Sequence, residues 1–459
     1  MKRKGGRWVG WSGNISANRR PSRSFSQDVE YLALDLGEGR DTELHADYVN
    51  GALWPILHSR PDLMHFNEAS WSAFLRFNDD FAHLLAKQIG PRDRLWVQDY
   101  HLIPLAERLE SMRVVVRCGF FLHVPFPRPE TMIRLPRHGE LLDKLAAFEL
   151  IGVQTPQDLE RFTQYLQSAR GARVAGVQQI LGKDRVLIEM PDGRSFRAAA
   201  YPISIDTRSI EESAPAAGDG ASVRRLATSL GGSSLVLGVD RLDYSKGLEE
   251  RFDAYRCFLE AAPARVDECT FVQIAPLSRA EIPAYRQLRN RLDRQVGRIN
   301  GSFSRPDRTA LRYVNRSFSQ RTLYGFYRLA RVALVTPLCD GMNLVAKEFI
   351  ACQDPRDPGV LVLSRHAGAA NELGDALIVD PLNRDEVCAA IETALAMPLA
   401  ERVARWSMMI DQLRRRDVHA WADDFLGDLA ESRWPDAVPA TVSRANPSQL
   451  SAAASAAMT

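Results

Sequence analysis

The sequence predicts an α/β fold with two parallel-sheet domains that face each other across a cleft. The chain has 459 residues, which is too long for one ordinary hydrophobic core and favours two domains of roughly 200 residues each. Short, continuous apolar runs alternate with longer amphipathic segments, a pattern typical of parallel strands covered by helices on both faces. A stretch rich in Glu, Ala, Gly and Pro near the middle of the chain supplies a boundary.

Strands are expected where apolar and β-branched residues run without interruption. The expected strands are 95–97, 114–124, 150–153, 234–239, 270–275, 332–335, 360–363 and 376–379. Helices are expected over 104–112 and 140–149 in the first half, and from Leu344 onward in the second.

A domain boundary is expected between Ile205 and Val223. The strand-like stretch 199–203 gives way there to 211–220, whose composition indicates a loop or linker. The first domain would then span 1–205 and the second 206–433, with the last helix packing back on the first domain. Residues 434–459 are rich in Ala, Ser and Pro and predict a disordered tail. Ligands of such folds bind at the carboxyl ends of the strands, which places the site in the cleft.

Bulk composition excludes several classes of function. The net charge is only +2, which offers no field for nucleic acid or an anionic membrane. No run of about 18 apolar residues is present, and no apolar segment follows the basic start, as a signal peptide would require. The six cysteines form no CxxC pair and predict reduced thiols instead of a disulfide frame or a zinc site. A cytoplasmic protein is therefore expected.

A pair of cations follows the predicted strand 234–239. Arg241 offers a forked donor and Lys246 a point charge, and together they suit a diphosphate. Their position after a strand directs them to the cleft. Taken alone, the segment 238–247 fits a surface loop with Arg–Asp pairs at least as well.

The segment 336–348 also follows a strand. Gly341 permits a tight turn, and a helix from Leu344 would direct its first amides at a phosphate. Asp340 and Glu348 lie eight apart, which suits one carboxylate on sugar hydroxyls and another on ribose hydroxyls. The alternative is that Asp340 caps the helix and Glu348 is solvated.

Two segments of the first half, 96–102 and 119–127, end predicted strands. They place Asp99, Tyr100 and His123 on the same lip of the cleft. By itself, His123 would fit a hydrogen-bonded core histidine equally well.

These segments resemble the trehalose-6-phosphate synthases, which are retaining glycosyltransferases of the GT-B architecture with two Rossmann-like domains. The resemblance extends from residue 5 to about Leu429, and such ordered agreement makes a chance match improbable. Further matching stretches are 5–13, 53–55, 297–301, 348–364 and 367–373.

The resemblance implies a role for each site residue. The donor residues are Arg241 and Lys246 on the diphosphate, Asp340, Gly341, Met342, Asn343 and Leu344 on the glucosyl ring and phosphate, and Glu348 on the ribose. The acceptor residues are Trp54, Asp99, Tyr100 and Arg298, with Arg298 on the acceptor phosphate. His123 would lie beside the glucosyl unit. The implied reaction converts UDP-glucose and glucose 6-phosphate to trehalose 6-phosphate and UDP with retention.

The resemblance also implies a mechanism without a metal or cofactor, because Arg241 and Lys246 can replace a divalent cation at the departing phosphate. With no evident enzymic nucleophile, front-face displacement is expected, in which the leaving phosphate takes the proton of the acceptor. The expected partners are small-molecule substrates, without nucleic acid or membrane, and a homo-oligomer is left open.

The chain departs from the family at three places. The strand and glycine-rich loop that usually precede the match to 5–7 have no counterpart, so the first domain is expected to be N-terminally truncated. Leu44 and His45 stand at the usual Tyr pair, where a protonated His45 could still donate to the acceptor phosphate. Cys339 stands where many relatives have Arg. Two alternatives therefore remain: a transferase with another acceptor, such as glycerol 3-phosphate or a cyclitol, or a catalytically silent relative.

Overall fold

The structure is a computed structural model that describes residues 6–15, 22–26, 28–36, 42–90, 92–180, 183–279 and 281–431. The side chains of residues 13–15, 34, 36, 42–46, 180 and 183 are outside this description. The disordered tail expected over 434–459 lies beyond the described residues and stays a prediction.

The described strands form three sheets. Their bounds are β1 Gly6–Ile15, β2 Ser22–Ser26, β3 Val29–Leu36, β4 Arg94–Gln98, β5 Arg117–Phe121, β6 Leu150–Val153, β7 Arg173–Ile180, β8 Lys183–Glu189, β9 Ser195–Ala200, β10 Ser234–Val239, β11 Cys269–Ile274, β12 Leu311–Val314, β13 Val332–Val335, β14 Val360–Ser364 and β15 Leu377–Val379. The strand orders are β1-β3-β2, β4-β5-β6-β9-β8-β7 and β12-β11-β10-β13-β14-β15.

Helices cover the sheets and follow the strands along the chain. Their bounds are α1 Trp54–Leu57, α2 Glu68–Ala86, α3 Leu105–Ser111, α4 Pro129–Met132, α5 His138–Asp143, α6 Pro156–Arg170, α7 Thr207–Gly218, α8 Ala221–Leu230, α9 Leu248–Ala261, α10 Pro283–Phe303, α11 Gln320–Leu329, α12 Leu344–Cys352, α13 Arg384–Ala396, α14 Leu399–Arg415 and α15 Val418–Ala430. A π-helical stretch, Thr42–Leu53, leads into α1. In the part of the chain that the structure describes, no helix combines the length and apolar character needed to cross a membrane.

The sheet of the second half is parallel throughout. All residues of β11, β13 and β14 are buried, as the unbroken apolar runs predict for strands covered on both faces. In the first half, β4, β5, β6 and β9 are parallel, and β8 and β7 continue the sheet antiparallel. The parallel portions bring several strand ends to one edge of each sheet, and these edges position the site.

The expected linker over 211–220 is wrong for most of its length, because α7 runs through Gly218. Asp206 caps this helix by accepting a hydrogen bond from the Ser209 amide at 3.1 Å. Ile210 and Ala214 lie buried on one face at helical spacing. The Ala-rich composition that resembles a linker therefore also supports a helix, and tertiary burial selects the helix.

The end of the chain crosses back to the first six-stranded sheet. Phe425 of α15 stacks on Trp96 with ring centroids 4.6 Å apart. It occupies space left by two strand glycines, since a Cβ on Gly119 or Gly152 would lie 2.8 or 2.9 Å from its ring. Arg117 of β5 donates to the Ala430 carbonyl at 2.7 Å. The chain thus passes between the two sheets twice, before α7 and before α15.

Candidate functional site

Four charged side chains follow parallel strands of the second sheet. Arg241 and Lys246 come after β10, Arg279 after β11, and Asp340 after β13. Because β10 pairs with both β11 and β13, these side chains share one edge of the sheet. This is the edge at which open α/β sheets bind ligands.

Lys246 and Asp340 form the central ion pair of this edge. Lys246 Nζ lies 2.5 Å from Asp340 Oδ2, and Asn343 Nδ2 donates to the same oxygen at 2.9 Å. Burial alone lowers the pKa of Lys246, but nearby Asp340 and Asp240 raise it overall. Burial raises the pKa of Asp340, and Lys246 more than reverses this, so the pKa falls below its usual range. Both groups therefore stay charged at neutral pH.

A fully buried arginine supports the loop that carries Lys246. Arg251 of α9 lies 2.5 Å from Asp240 through Nη1 and donates to Thr336 Oγ1 at 2.9 Å. Its Nη2 also donates to the Lys246 carbonyl at 3.2 Å. A buried charge persists when it is paired and hydrogen-bonded in this way. Arg251 thus ties the backbone of Lys246 to the ends of β10 and β13.

Gly341 brings the two halves of the molecule into direct backbone contact. A Cβ at this position would lie 2.4 Å from the His123 carbonyl oxygen and 3.0 Å from the carbonyl carbon of Val124. Only glycine fits such an approach without a backbone shift. The loop before α12 therefore rests on the strand end that carries His123.

Helix α12 begins directly after this contact. Leu344 is its first residue, and Asn343 caps it by accepting from the Ala346 amide at 3.3 Å. Met342 is buried at 3% exposure. Burial raises the pKa of the half-buried Glu348 to about 7, so this carboxyl is poised to gain or lose a proton near neutral pH. The free amides at the start of α12 attract an anion.

Two guanidinium groups lie close to the indole ring of Trp54. Arg279 lies 3.9 Å and Arg241 5.7 Å from the ring centroid. Arg241 is exposed, and the structure records no carboxylate in ion-pair distance of it among the described residues. Two cations beside one aromatic ring, one of them with no carboxylate in ion-pair distance among the described residues, are suited to an anionic ligand.

Arg279 is held by a buried carboxylate. Its Nη1 lies 2.9 Å from Asp243 Oδ2, and Tyr285 donates its hydroxyl to the same oxygen at 2.9 Å. His58 also stacks on the indole ring of Trp54, with 3.8 Å between the ring centroids. Burial lowers the pKa of His58 to about 4, which keeps this imidazole neutral beside the cations.

Asp99, Tyr100 and His123 are brought together, as the sequence predicts for one lip of the cleft. The His123 amide donates to Asp99 Oδ1 at 3.2 Å, and Tyr100 lies 6.2 Å from Trp54 between ring centroids. Burial raises the pKa of Asp99 to about 7 and lowers that of His123 to about 4.

His123 is also held by its ring. Its Nε2 is 2.7 Å from Gln98 Oε1, and its ring packs on Phe121 and on Trp421 of α15. Neutral His123 has one ring nitrogen engaged in this hydrogen bond, and its backbone carbonyl contacts the loop before α12 at Gly341.

Two predicted acceptor residues are not brought into this group. Arg298 is exposed on α10, 13 residues after Tyr285, which is about 20 Å along a helix axis. The side chain of His45 lies outside the described residues. Sequence reasoning missed Arg279, although the signal was present, because it follows β11 at a strand end just as Arg241 follows β10.

The sequence model of glycosyltransferase family 20 matches residues 1–431. The chain belongs to glycosyltransferase family 20. The trehalose-6-phosphate synthase of Sinorhizobium fredii is 42% identical over 431 residues, covering 93% of this chain and 91% of that protein. These matches confirm the family that the sequence motifs indicate. The chain is therefore a glycosyltransferase.

Solved structures confirm the GT-B architecture. The alpha,alpha-trehalose-phosphate synthase (UDP-forming) of Burkholderia xenovorans in complex with glucose 6-phosphate has a TM-score of 0.90 at 40% identity, covering 93% of each chain. An E. coli structure with bound UDP-2-fluoro glucose has a TM-score of 0.87 at 40% identity, again covering 93% of each chain. Both similarities extend over nearly the whole family 20 chain.

No metal-binding centre is evident in the part of the family 20 chain that the structure describes. No group of three or more His, Cys, Asp or Glu side chains there is arranged to hold a metal ion. Arg241, Lys246 and Arg279 bring positive charges to the site.

Proposed function

We propose that this family 20 chain transfers glucose from UDP-glucose to glucose 6-phosphate with retention, giving α,α-trehalose 6-phosphate and UDP. The observation that carries the proposal is the pair of guanidinium groups on Trp54, 5.7 and 3.9 Å from its ring centroid. They provide two anion-binding centres in one cleft, one for a donor diphosphate and one for an acceptor phosphate. The relatives with bound glucose 6-phosphate and UDP-2-fluoro glucose support both substrates.

On the donor side, Arg241 and Lys246 hold the diphosphate in this proposal. Arg241 supplies a forked donor, and Lys246 supplies a charge that remains partly available after pairing with Asp340. The amides from Gly341 to Leu344 bind the sugar and phosphate at the start of α12, where the helix dipole favours an anion. Glu348 accepts from the ribose hydroxyls.

On the acceptor side, Arg279 takes the role that the sequence resemblance implies for Arg298. Its guanidinium lies on Trp54, the residue expected to line the acceptor pocket. Asp99 and Tyr100 lie on the opposite lip and suit the hydroxyls of a sugar. Arg279 Nη1 donates to Asp243 and to the Tyr285 hydroxyl, and the N–H donors on Nε and Nη2 suffice to bind a phosphate.

The chemistry proceeds at the anomeric carbon without an enzymic nucleophile. The bond from this carbon to the diphosphate oxygen breaks as the acceptor hydroxyl approaches from the same face, and the departing phosphate oxygen takes its proton. Arg241 and Lys246 stabilise the charge that develops on the leaving group, which is the work a divalent cation would otherwise do. His123, which is neutral, and the carboxylate of Asp340 position the glucosyl ring. No metal or cofactor enters this scheme.

UDP release tests the proposal. Purified protein is given UDP-glucose with glucose 6-phosphate, with glycerol 3-phosphate or with a cyclitol phosphate. Release with glucose 6-phosphate alone, together with trehalose 6-phosphate identified by mass and by its α,α linkage in NMR, is the expected result. Release with another acceptor only would favour the alternative transferase, and no release in any mixture would favour a silent relative.

The cellular location and the oligomeric state are also part of the proposal. We expect a cytoplasmic enzyme, because nucleotide sugars and sugar phosphates are the substrates. That the chain forms a homo-oligomer stays a prediction, and light scattering of the purified protein measures its oligomeric state directly.

A further inference from the structure

Two cysteines that are far apart in sequence meet on the outer side of the second sheet. Cys257 lies on α9 and Cys388 on α13, and these helices pack against each other. Cys257 Sγ is 3.8 Å from Asp385 Oδ1 in the first turn of α13. Cys388 follows Asp385 by three residues, so both lie on the same face of that helix. Cys257 and Cys388 are therefore neighbours at the contact between α9 and α13.

Both thiols are half-buried, so a small reagent can reach them. Charged pairs border the contact: Arg265 with Glu392, and Arg384 with Asp385. The other cysteines lie in different elements: Cys118 in β5, Cys269 in β11, Cys339 after β13 and Cys352 at the end of α12. Cys118, Cys269 and Cys352 are buried, whereas Cys339 is half-buried but lies in a different part of the second half, after β13.

We propose that Cys257 and Cys388 are a modification site: a low-molecular-weight disulfide converts them to an intramolecular disulfide that links α9 to α13. In the first step, the Cys257 thiolate attacks one sulfur of the reagent, and the other half leaves as a thiolate. In the second step, Cys388 loses its proton and attacks the Cys257 sulfur of the mixed disulfide. The second half of the reagent then leaves. Two thiols become one disulfide, and the reagent becomes two thiols.

The order of the steps follows from the environment of Cys388. Burial and the Cys257 thiol raise the pKa of Cys388 to about 12, so this sulfur is mostly protonated and Cys257 reacts first. The second step is then intramolecular between neighbouring groups, which offsets the low thiolate fraction of Cys388.

The linkage is expected to stabilise the fold without stopping catalysis. Because α9 and α13 already pack against each other with the two cysteines at their contact, we expect the disulfide to form with little movement of either helix. Helix α9 begins at Leu248, just after Lys246, and a forced shift would reach the site. The link closes a loop of about 130 residues, which restricts the unfolded chain strongly.

Oxidation of the full-length native protein tests the proposal. The protein is incubated with oxidised glutathione, blocked with an alkylating reagent and digested, and its melting temperature is measured before and after. The expected results are a peptide that joins Cys257 to Cys388, two fewer reactive thiols of the six, and a Tm higher by about 5 °C or more. Dithiothreitol should restore the original Tm.

Single variants separate this site from general oxidation. Cys257→Ser and Cys388→Ser should each lose the joined peptide and the Tm rise, whereas Cys339→Ser should keep both. Cys388→Ala replaces Cys388→Ser if the serine variant does not fold. Glutathione adducts on both cysteines without a joining peptide, or a joining peptide to another cysteine, would overturn the proposal. These readouts need no substrate, so they stand apart from the proposed transferase activity.

Discussion

The donor and acceptor sides of the cleft are built in different ways. The donor side uses two segments that follow strands of one sheet: Asp340 and Asn343 after β13 share one hydrogen-bonded cluster with Lys246 after β10. The acceptor side combines distant segments: Trp54 comes from a short helix of the first half, and Arg279 from a strand end of the second.

The difference explains where sequence reasoning succeeds. Residues that follow neighbouring parallel strands lie at the same edge of one sheet, so the donor cluster follows from the strands of a single domain. A site assembled from both halves depends on how the halves face each other, which no local pattern specifies. The acceptor side is therefore the more informative target for mutation.

The largest effect is expected on the donor side from Lys246→Ala. Loss of one cation at the leaving group should lower kcat roughly 10²–10³-fold, as for loss of one oxyanion-hole donor. Steady-state UDP release measures it, with the exposed Lys87→Ala as the control. Near-normal turnover of Lys246→Ala would remove this residue from the mechanism.

The acceptor side gives the next effect, through Arg279→Ala. Loss of charge-assisted hydrogen bonds costs about 1.5–3 kcal/mol, so we expect the KM for glucose 6-phosphate to rise roughly 10–100-fold, with a smaller change for UDP-glucose. Arg298→Ala is the matched comparison. If Arg298→Ala alone raises this KM, the resemblance assigned the phosphate ligand correctly and the geometric assignment to Arg279 fails.

The contact between the two sides is tested by Gly341→Ala. Its Cβ would lie 2.4 Å from a backbone oxygen, so the loop must move, at a cost of about 1–3 kcal/mol. Thermal unfolding and kcat should both fall. Gly297→Ala is the control, because that helical glycine has open space around its Cβ position and alanine there should stabilise by up to about 1 kcal/mol. Equal Tm values for both variants would contradict the close approach.

The last prediction concerns the pH dependence of stability at Asp99. Its pKa is about 7 in the folded protein against about 3.9 unfolded, so the native state binds more protons between these values. The free energy of unfolding should therefore fall as pH rises from about 4 to 7, by at most about 1.4 kcal/mol per pH unit. Asp99→Asn should remove this contribution. Urea unfolding of both proteins from pH 4 to 8 measures it, and parallel profiles would contradict the assigned pKa.

Most of the second sheet could be predicted from the sequence, because strands buried on both faces leave unbroken apolar runs. The expected strands 234–239 and 332–335 coincide with β10 and β13. Residues 140–149 are harder, since α5 ends at Asp143 and a 3-10 turn continues to Ala147. Apolar periodicity does not distinguish these two helical forms over so few residues.

The site residues show the same division. Their positions after strands predict that Lys246 and Asp340 both lie at the cleft, and the structure further joins them in an ion pair. The position of Arg279 after β11 is a signal, but a lone arginine after a strand does not by itself indicate a ligand. Its significance depends on Trp54 and Asp243, which only the folded chain brings next to it.

The two passages of the chain between the sheets have a mechanical consequence. They are joined where the Val418 amide donates to the Ile205 carbonyl at 2.9 Å. Because both covalent connections run through this one place, we expect the two faces of the cleft to open and close mainly by rotation about it.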